Sequence, residues 1–284
     1  MSTFADELGR ATGALLAPLT GGIASLRRAR MFHPDGVTWL ARAESAAEAA
    51  DLEELADRLA GPVLARFSSA WWRGGKEWPD VLGTALRFLD EDVVEPSGRA
   101  VRVPHEARGG DQDVLFATIR SPWTTPLAPL ATRTRSFLWN HYHAVSPFSV
   151  VGMRDIGRIK LRLRSPRLMP PRQVSRVDHL AAVTARGEAR FTLEVRRLSR
   201  FLLQRRWEPL LELRLERPAL VDQEALRFWP FRSGRGIEPV GFVQHLRLGA
   251  YAASQAARPV RSEAPFDPML HPPWLPAEAD PGLR

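Results

Sequence analysis

PVLARFS (62–68), followed by VLGTALRFL (81–89), opens a series of short runs rich in branched and aromatic residues, separated by polar or Pro/Gly segments. Upstream, VTWLARAE (37–44) alternates and follows the turn chemistry of Pro34-Asp35-Gly36. Downstream come DVLFATIRS (113–121), GRIKLRLRS (157–165), EARFTLEVRRL (188–198) and LLELRLERPA (210–219). Helical readings interrupt the series. SAAEAADLEELADRLA (45–60) is a helix stopped by Gly61 and Pro62, and PLAPLATRTRSFLWNHYHAV (126–145) is expected to be mainly helical. Many spaced, antiparallel-looking strands with helical insertions predict an α+β domain built around a barrel. The last 26 residues hold seven prolines without periodicity. They read as an extended tail on the surface or on a partner subunit, which leaves a homodimer open.

Composition narrows the chemistry. The chain has 284 residues, 44% of them apolar and 25% charged, as in ordinary globular proteins. It has no cysteine, which excludes disulfides, thiolate zinc sites, iron–sulfur clusters and a thiolate-ligated haem. The apolar stretch ATGALLAPLTGGIASL (11–26) follows Asp6 and Glu7 and is broken by Pro18, Gly21 and Gly22. That pattern suits neither a secretion signal nor a membrane span, so a cytoplasmic protein without integral membrane contact is expected. The net charge is +8, but only Lys76 and Lys160 among 40 basic residues are lysines. The arginines are interspersed with acids (RRWEPLLELRLER), not gathered in a basic, aromatic-bearing stripe, so nucleic acid is not an expected partner.

RLGAYAASQAARP (247–259) carries Arg247, Tyr251 and Arg258 at offsets that bring all three to one side of a helix. Small residues flank the tyrosine, leaving room for something bulky against that face. An arginine one turn before a tyrosine favours its phenolate, and a phenolate is a ligand for ferric iron. Taken alone, the spacing is equally that of an ordinary arginine-rich helix. Of the other candidates, Tyr142 is the only second tyrosine and lacks an arginine four residues before it. His141 and His143, two apart in a helical reading, would point to different faces.

Four stretches stand in order: Arg30-Met31-Phe32-His33-Pro34-Asp35-Gly36; Ala65-Arg66-Phe67-Ser68 with Gly83-Thr84-Ala85-Leu86-Arg87-Phe88; Asp113-Val114-Leu115-Phe116-Ala117-Thr118-Ile119-Arg120; and the 247–259 helix, reached through Arg227-Phe228-Trp229-Pro230-Phe231. Together they resemble the haem catalases, and more closely the short catalase-related peroxidases that keep only the haem-binding core. Allene oxide synthases belong to the same superfamily. The resemblance runs from about residue 27 to residue 259. It implies an N-terminal segment over 1–26, a haem-binding domain over 27–258 with haem b at the edge of an antiparallel barrel, and the Pro-rich tail over 259–284.

Carried over residue by residue, the resemblance makes His33 the distal acid–base catalyst, Ser68 its hydrogen-bonding partner and Tyr251 the iron ligand. Arg247 supports the phenolate, Arg30, Arg66 and Arg258 meet the haem propionates, and Phe32 packs beside the distal histidine. Two departures stand out. Catalases hold peroxide with an asparagine where this chain has Asp113 beside Gln112, and they usually have a smaller valine where Phe32 stands. The long N-terminal arm and C-terminal helical domain of large catalases have no counterpart, so arm-exchanged tetramers and a nicotinamide site are not expected. The implied activity is reduction of organic hydroperoxides with a small organic reductant. Hydroperoxide rearrangement, as in allene oxide synthase, and true hydrogen peroxide disproportionation are the alternatives.

Overall fold

The computed structural model describes residues 36–71, 77–89, 95–97, 100–144, 146–198, 206–223 and 225–241. Eight strands close on themselves in an antiparallel ring. In ring order these are β1 (Gly36–Ser45), β2 (Gly61–Ser69), β3 (Leu82–Phe88), β6 (Gln112–Ala117), β7 (His141–Ala144), β9 (Arg158–Arg164), β10 (Arg190–Leu198) and β11 (Glu208–Leu220), which returns to β1. A small hairpin of β4 (Glu95–Ser97) and β5 (Ala100–Arg102) extends β11, and β8 (Phe148–Val150) with β12 (Ile237–Pro239) extends β9. The described helices are few: α1 (Ala50–Leu59), the single turn α2 (Ala128–Ala131) and α3 (Arg176–Ala185). This is the expected α+β barrel.

Alternation along each strand sorts side chains to the two faces of the wall. Paired residues share a face, so Val37, Phe67, Thr84, Phe116 and Ala144 form one inward row. The interior is dense with aromatics. Trp39, Phe67, Phe88, Tyr142 and Phe191 are all fully buried, and Phe67 lies 5.6 Å from Phe137 and 5.4 Å from Phe191 between ring centroids. The apolar stripe of α1 (Leu52, Leu55, Ala56, Leu59) follows the i, i+3, i+4, i+7 spacing and joins this core. Asp51 and Glu53 in its first turn and Arg58 in its last complement the helix dipole. Gly61 (φ 113°) then turns the chain into β2, a conformation that glycine adopts without strain.

The helix expected over 126–145 is corrected. A 3-10 stretch over Pro122–Leu127 and α2 account for its start, and β7 accounts for its end. Pro126 and Pro129 limit helical hydrogen bonding, and polar side chains then take over the backbone. Asn140 accepts from Arg133 N at 2.9 Å and donates to the Arg133 and Ser136 carbonyls, while Ser136 Oγ donates to Leu168 O at 2.7 Å. In consequence His141 and His143 sit on a strand and share one face, contrary to the helical reading.

Candidate functional site

The outward face of β1, β2, β3 and β6 carries three of the described candidates, Arg66, Ser68 and Asp113. Register lays out three rows across these strands: Gly36, Ser68, Gly83, Ala117; then Thr38, Arg66, Ala85, Leu115; then Leu40, Leu64, Arg87, Asp113. The first row is small throughout. The third is roofed by a second apolar cluster in which Leu40 and Leu64 pack with Val101, Val103, Ala219, Leu226 and Phe228. On this face Ala85, Leu115 and Ala117 stay half-buried.

Arg66 and Ser68 project from this face two residues apart, and both are buried. The Arg66 guanidinium lies over Gly36, where a Cβ would come within 2.3 Å of its Cζ. Its Nε donates to Gln223 Oε1 at 3.4 Å, Gln223 Nε2 donates to Thr38 Oγ1 at 2.9 Å, and Thr38 Oγ1 donates to Ala219 O at 2.8 Å. This relay orients a cation beside the small-residue row. Ser68 Oγ lies 3.5 Å from Gly83 O. Neither Gln223 nor Thr38 carries a motif in the sequence. Only the pairing of β1 with both β2 and β11 brings them to Arg66.

Asp113 lies in a different setting. Its carboxylate accepts from Arg87 Nε at 2.8 Å, Arg87 Nη2 at 3.3 Å, Trp229 N at 2.8 Å and the Arg232 guanidinium. Arg87, itself fully buried, also donates to His105 O and Arg227 O and sits 5.0 Å from the centre of the Phe228 ring. Gln112 points inward. Its amide donates to Arg232 O at 2.7 Å and Ile237 O at 3.1 Å, and its Oε1 accepts from Ile237 N at 3.2 Å. Both residues thus clamp the 227–237 segment. Arg87, the partner that the sequence reading missed, is signalled by an arginine within the strand-like run GTALRF.

Tyr142 is enclosed in the barrel, where its hydroxyl donates to Phe137 O at 2.8 Å and burial pushes its pKa up. A phenol held in this state is no iron ligand. The remaining expected site residues, Arg30, Phe32, His33, Arg247, Tyr251 and Arg258, lie outside the described residues.

The first row continues outward through His143, Arg162 and Glu194. Glu194 binds Arg162 and, at 2.8 Å, Arg164, while the Arg162 and Arg196 guanidinium carbons lie 4.4 and 5.0 Å from the Trp207 ring centroid. Burial, then the nearby Arg162, His141, Arg120 and Arg196, lower the His143 pKa from 6.5 to about 4. The unfolded chain therefore takes up this proton first as the pH falls. Stability carried by neutral His143 should be intact above about pH 6.5 and decline between pH 6.5 and 4. Chemical denaturation across that range should show the decline, and His143→Gln should flatten it. An unchanged slope in His143→Gln would remove this residue as the cause.

No family model matches the chain, and no curated protein does. Among solved structures it is similar to a bacterial catalase, with a TM-score of 0.56 and 13% sequence identity, over 83% of this chain and 59% of that one. The fold is catalase-like. The described core is thus a catalase-like barrel in a chain that spans 59% of the length of the catalase it matches. No described helix is long and apolar enough to cross a membrane.

Proposed function

We propose that the chain is a haem-dependent peroxidase that reduces organic hydroperoxides. One observation carries the reading: Gly36 pairs with Ser68. His33 stands three residues before Gly36, so at most about 10 Å of extended chain separates it from the strand position opposite Ser68. This supports a distal histidine oriented by the serine. The described side of the site also fits a haem. The Gly36, Ser68, Gly83, Ala117 row presents little bulk to a flat ring, and Arg66 offers a planar cation suited to a carboxylate.

In this reading Tyr251 would hold the iron and Arg247 would favour its phenolate. Arg30, Arg66 and Arg258 would hold the propionates, and Phe32 would border the distal histidine. When bound, the haem would supply the two-electron redox chemistry by which a hydroperoxide and a small organic donor yield an alcohol, water and the oxidised donor. His33 takes the proton from the hydroperoxide and returns it to the departing oxygen, work that imidazole does near neutral pH. Ser68 fixes the histidine's orientation. Asp113 and Gln112, spent on the 227–237 segment, position that segment instead of holding peroxide. Disproportionation, which needs a second peroxide held in place, is accordingly the weaker reaction.

The visible spectrum of the purified protein tests the reading. A ferric haem signature should be present in wild type and in Tyr142→Phe, and absent or sharply altered in Tyr251→Phe. Alkyl hydroperoxide with a donor should be consumed faster than hydrogen peroxide evolves oxygen. A colourless protein from haem-sufficient cells refutes haem binding. Hydroperoxide consumption without donor oxidation identifies a rearranging enzyme, and vigorous oxygen evolution identifies a true catalase.

A further inference from the structure

Six large apolar side chains are exposed among the described residues, and four of them gather at one end of the barrel: Trp71 (46%), Trp78 (56%), Leu127 (65%) and Leu130 (78%). Backbone and packing contacts tie their segments together. Ala70 N donates to Val81 O at 2.8 Å and Trp71 N to Asp80 Oδ1 at 3.2 Å, which closes the loop that bears both tryptophans. Ala128 packs on Ala70 and Val81, and Thr134 Oγ1 donates to Glu77 O at 2.7 Å. Leu127 and Leu130, one and two positions from Ala128, are spaced i, i+3 and so share a side. Exposed apolar groups gathered in this way mark an interaction surface.

The charges around this rim select its partner. Arg120 and Arg133 are exposed and have no ion pair among the described residues. Of the nearby acids, Glu77 is paired with Arg135 and Asp80 is buried against the Trp71 and Val81 amides. A two-fold contact between copies would bring the same cations together, which opposes self-association. Tryptophan and leucine side chains flanked by arginines instead match the boundary of a bilayer with negatively charged headgroups.

We propose that the rim of Trp71, Trp78, Leu127 and Leu130, with Arg120 and Arg133 beside it, docks the protein peripherally on an anionic lipid surface. The inference stands on these surface residues and does not rest on haem binding. Its position has a consequence for access, because Trp71 follows Ser68 by three residues and Leu82 and Gly83 open the neighbouring strand. Docking turns the small-residue end of the outward face toward the lipid.

The test is co-sedimentation of the full chain with phosphatidylcholine vesicles with and without phosphatidylserine. Binding should rise at least ~10-fold when phosphatidylserine is present and fall with added salt. Leu127→Ser/Leu130→Ser should lower it at least ~10-fold without changing the melting temperature, because both side chains are already exposed. Arg120→Gln/Arg133→Gln should weaken binding and flatten its salt dependence. Absence of binding to either vesicle overturns the proposal. So does unchanged binding of the double-serine variant, which would mean adsorption by net charge alone. Wild type that elutes as a dimer, reverting to monomer in the double-serine variant, would assign the rim to a second copy.

Discussion

Asp113→Ala is expected to cost about 3–5 kcal/mol of folding stability, the range for removing one partner of a buried ion pair. The substitution strands Arg87, whose side chain is fully buried, without its carboxylate. Arg232 and the Trp229 amide lose their shared acceptor at the same time. The carbonyls of His105 and Arg227 remain for Arg87, but neither carries the compensating charge. Replacing both members, as in Arg87→Leu/Asp113→Leu, should recover much of the loss, because an apolar pair of similar volume is often neutral or better. Urea denaturation of the three proteins measures this. If Asp113→Ala loses less than about 1 kcal/mol, the ordinary scale of a single hydrogen bond, yet turnover collapses, the carboxylate belongs to the chemistry and the clamp reading fails.

That pair also marks the boundary of what the sequence discloses. Strand existence was legible: the runs at 62–68, 81–89, 157–165, 188–198 and 210–219 all coincide with barrel strands. What a single sequence lacks is register. The resemblance sets Asp113 in the place of a peroxide-holding asparagine, but its physical neighbour follows from the pairing of β3 with β6, which sets it opposite Arg87. The same gap hid the Arg66–Gln223–Thr38 relay, which joins residues up to 185 positions apart.

Local chemistry misled in one segment and was overlooked in another. Residues 126–145 are rich in helix-compatible apolar side chains, yet Pro126, Pro129 and the Asn140 hydrogen bonds divide them, and His141–Ala144 gain more by joining the wall between β6 and β9. Helix α3 went unread despite a local start signal. Ser175 Oγ accepts from Asp178 N at 3.1 Å, and the buried positions Arg176, His179, Leu180, Val183 and Thr184 follow helical spacing. Two of those five are strongly polar, which weakens the apolar stripe on which a helix reading depends.

His33→Ala is expected to lower the rate of hydroperoxide reduction at least ~100-fold while leaving the haem in place, the loss associated with removing a general acid–base group. His33 lies outside the described residues, three positions before the first of them. The strand that follows it begins at Gly36, against Ser68, and the buried Arg66 covers that glycine. Alanine at position 33 removes the proton carrier without touching the residues proposed to hold iron or propionates, so the spectrum should survive and turnover should not. Ser68→Ala, which leaves the imidazole but loosens it, should cost less in rate. Arg66→Ala should act in the opposite sense, weakening haem retention before it slows the bound enzyme. The measurement is single-turnover consumption of an alkyl hydroperoxide by each variant at matched haem content. A fully active His33→Ala would move proton transfer away from this histidine, and the alignment of Gly36 with Ser68 would then be a feature of the barrel alone.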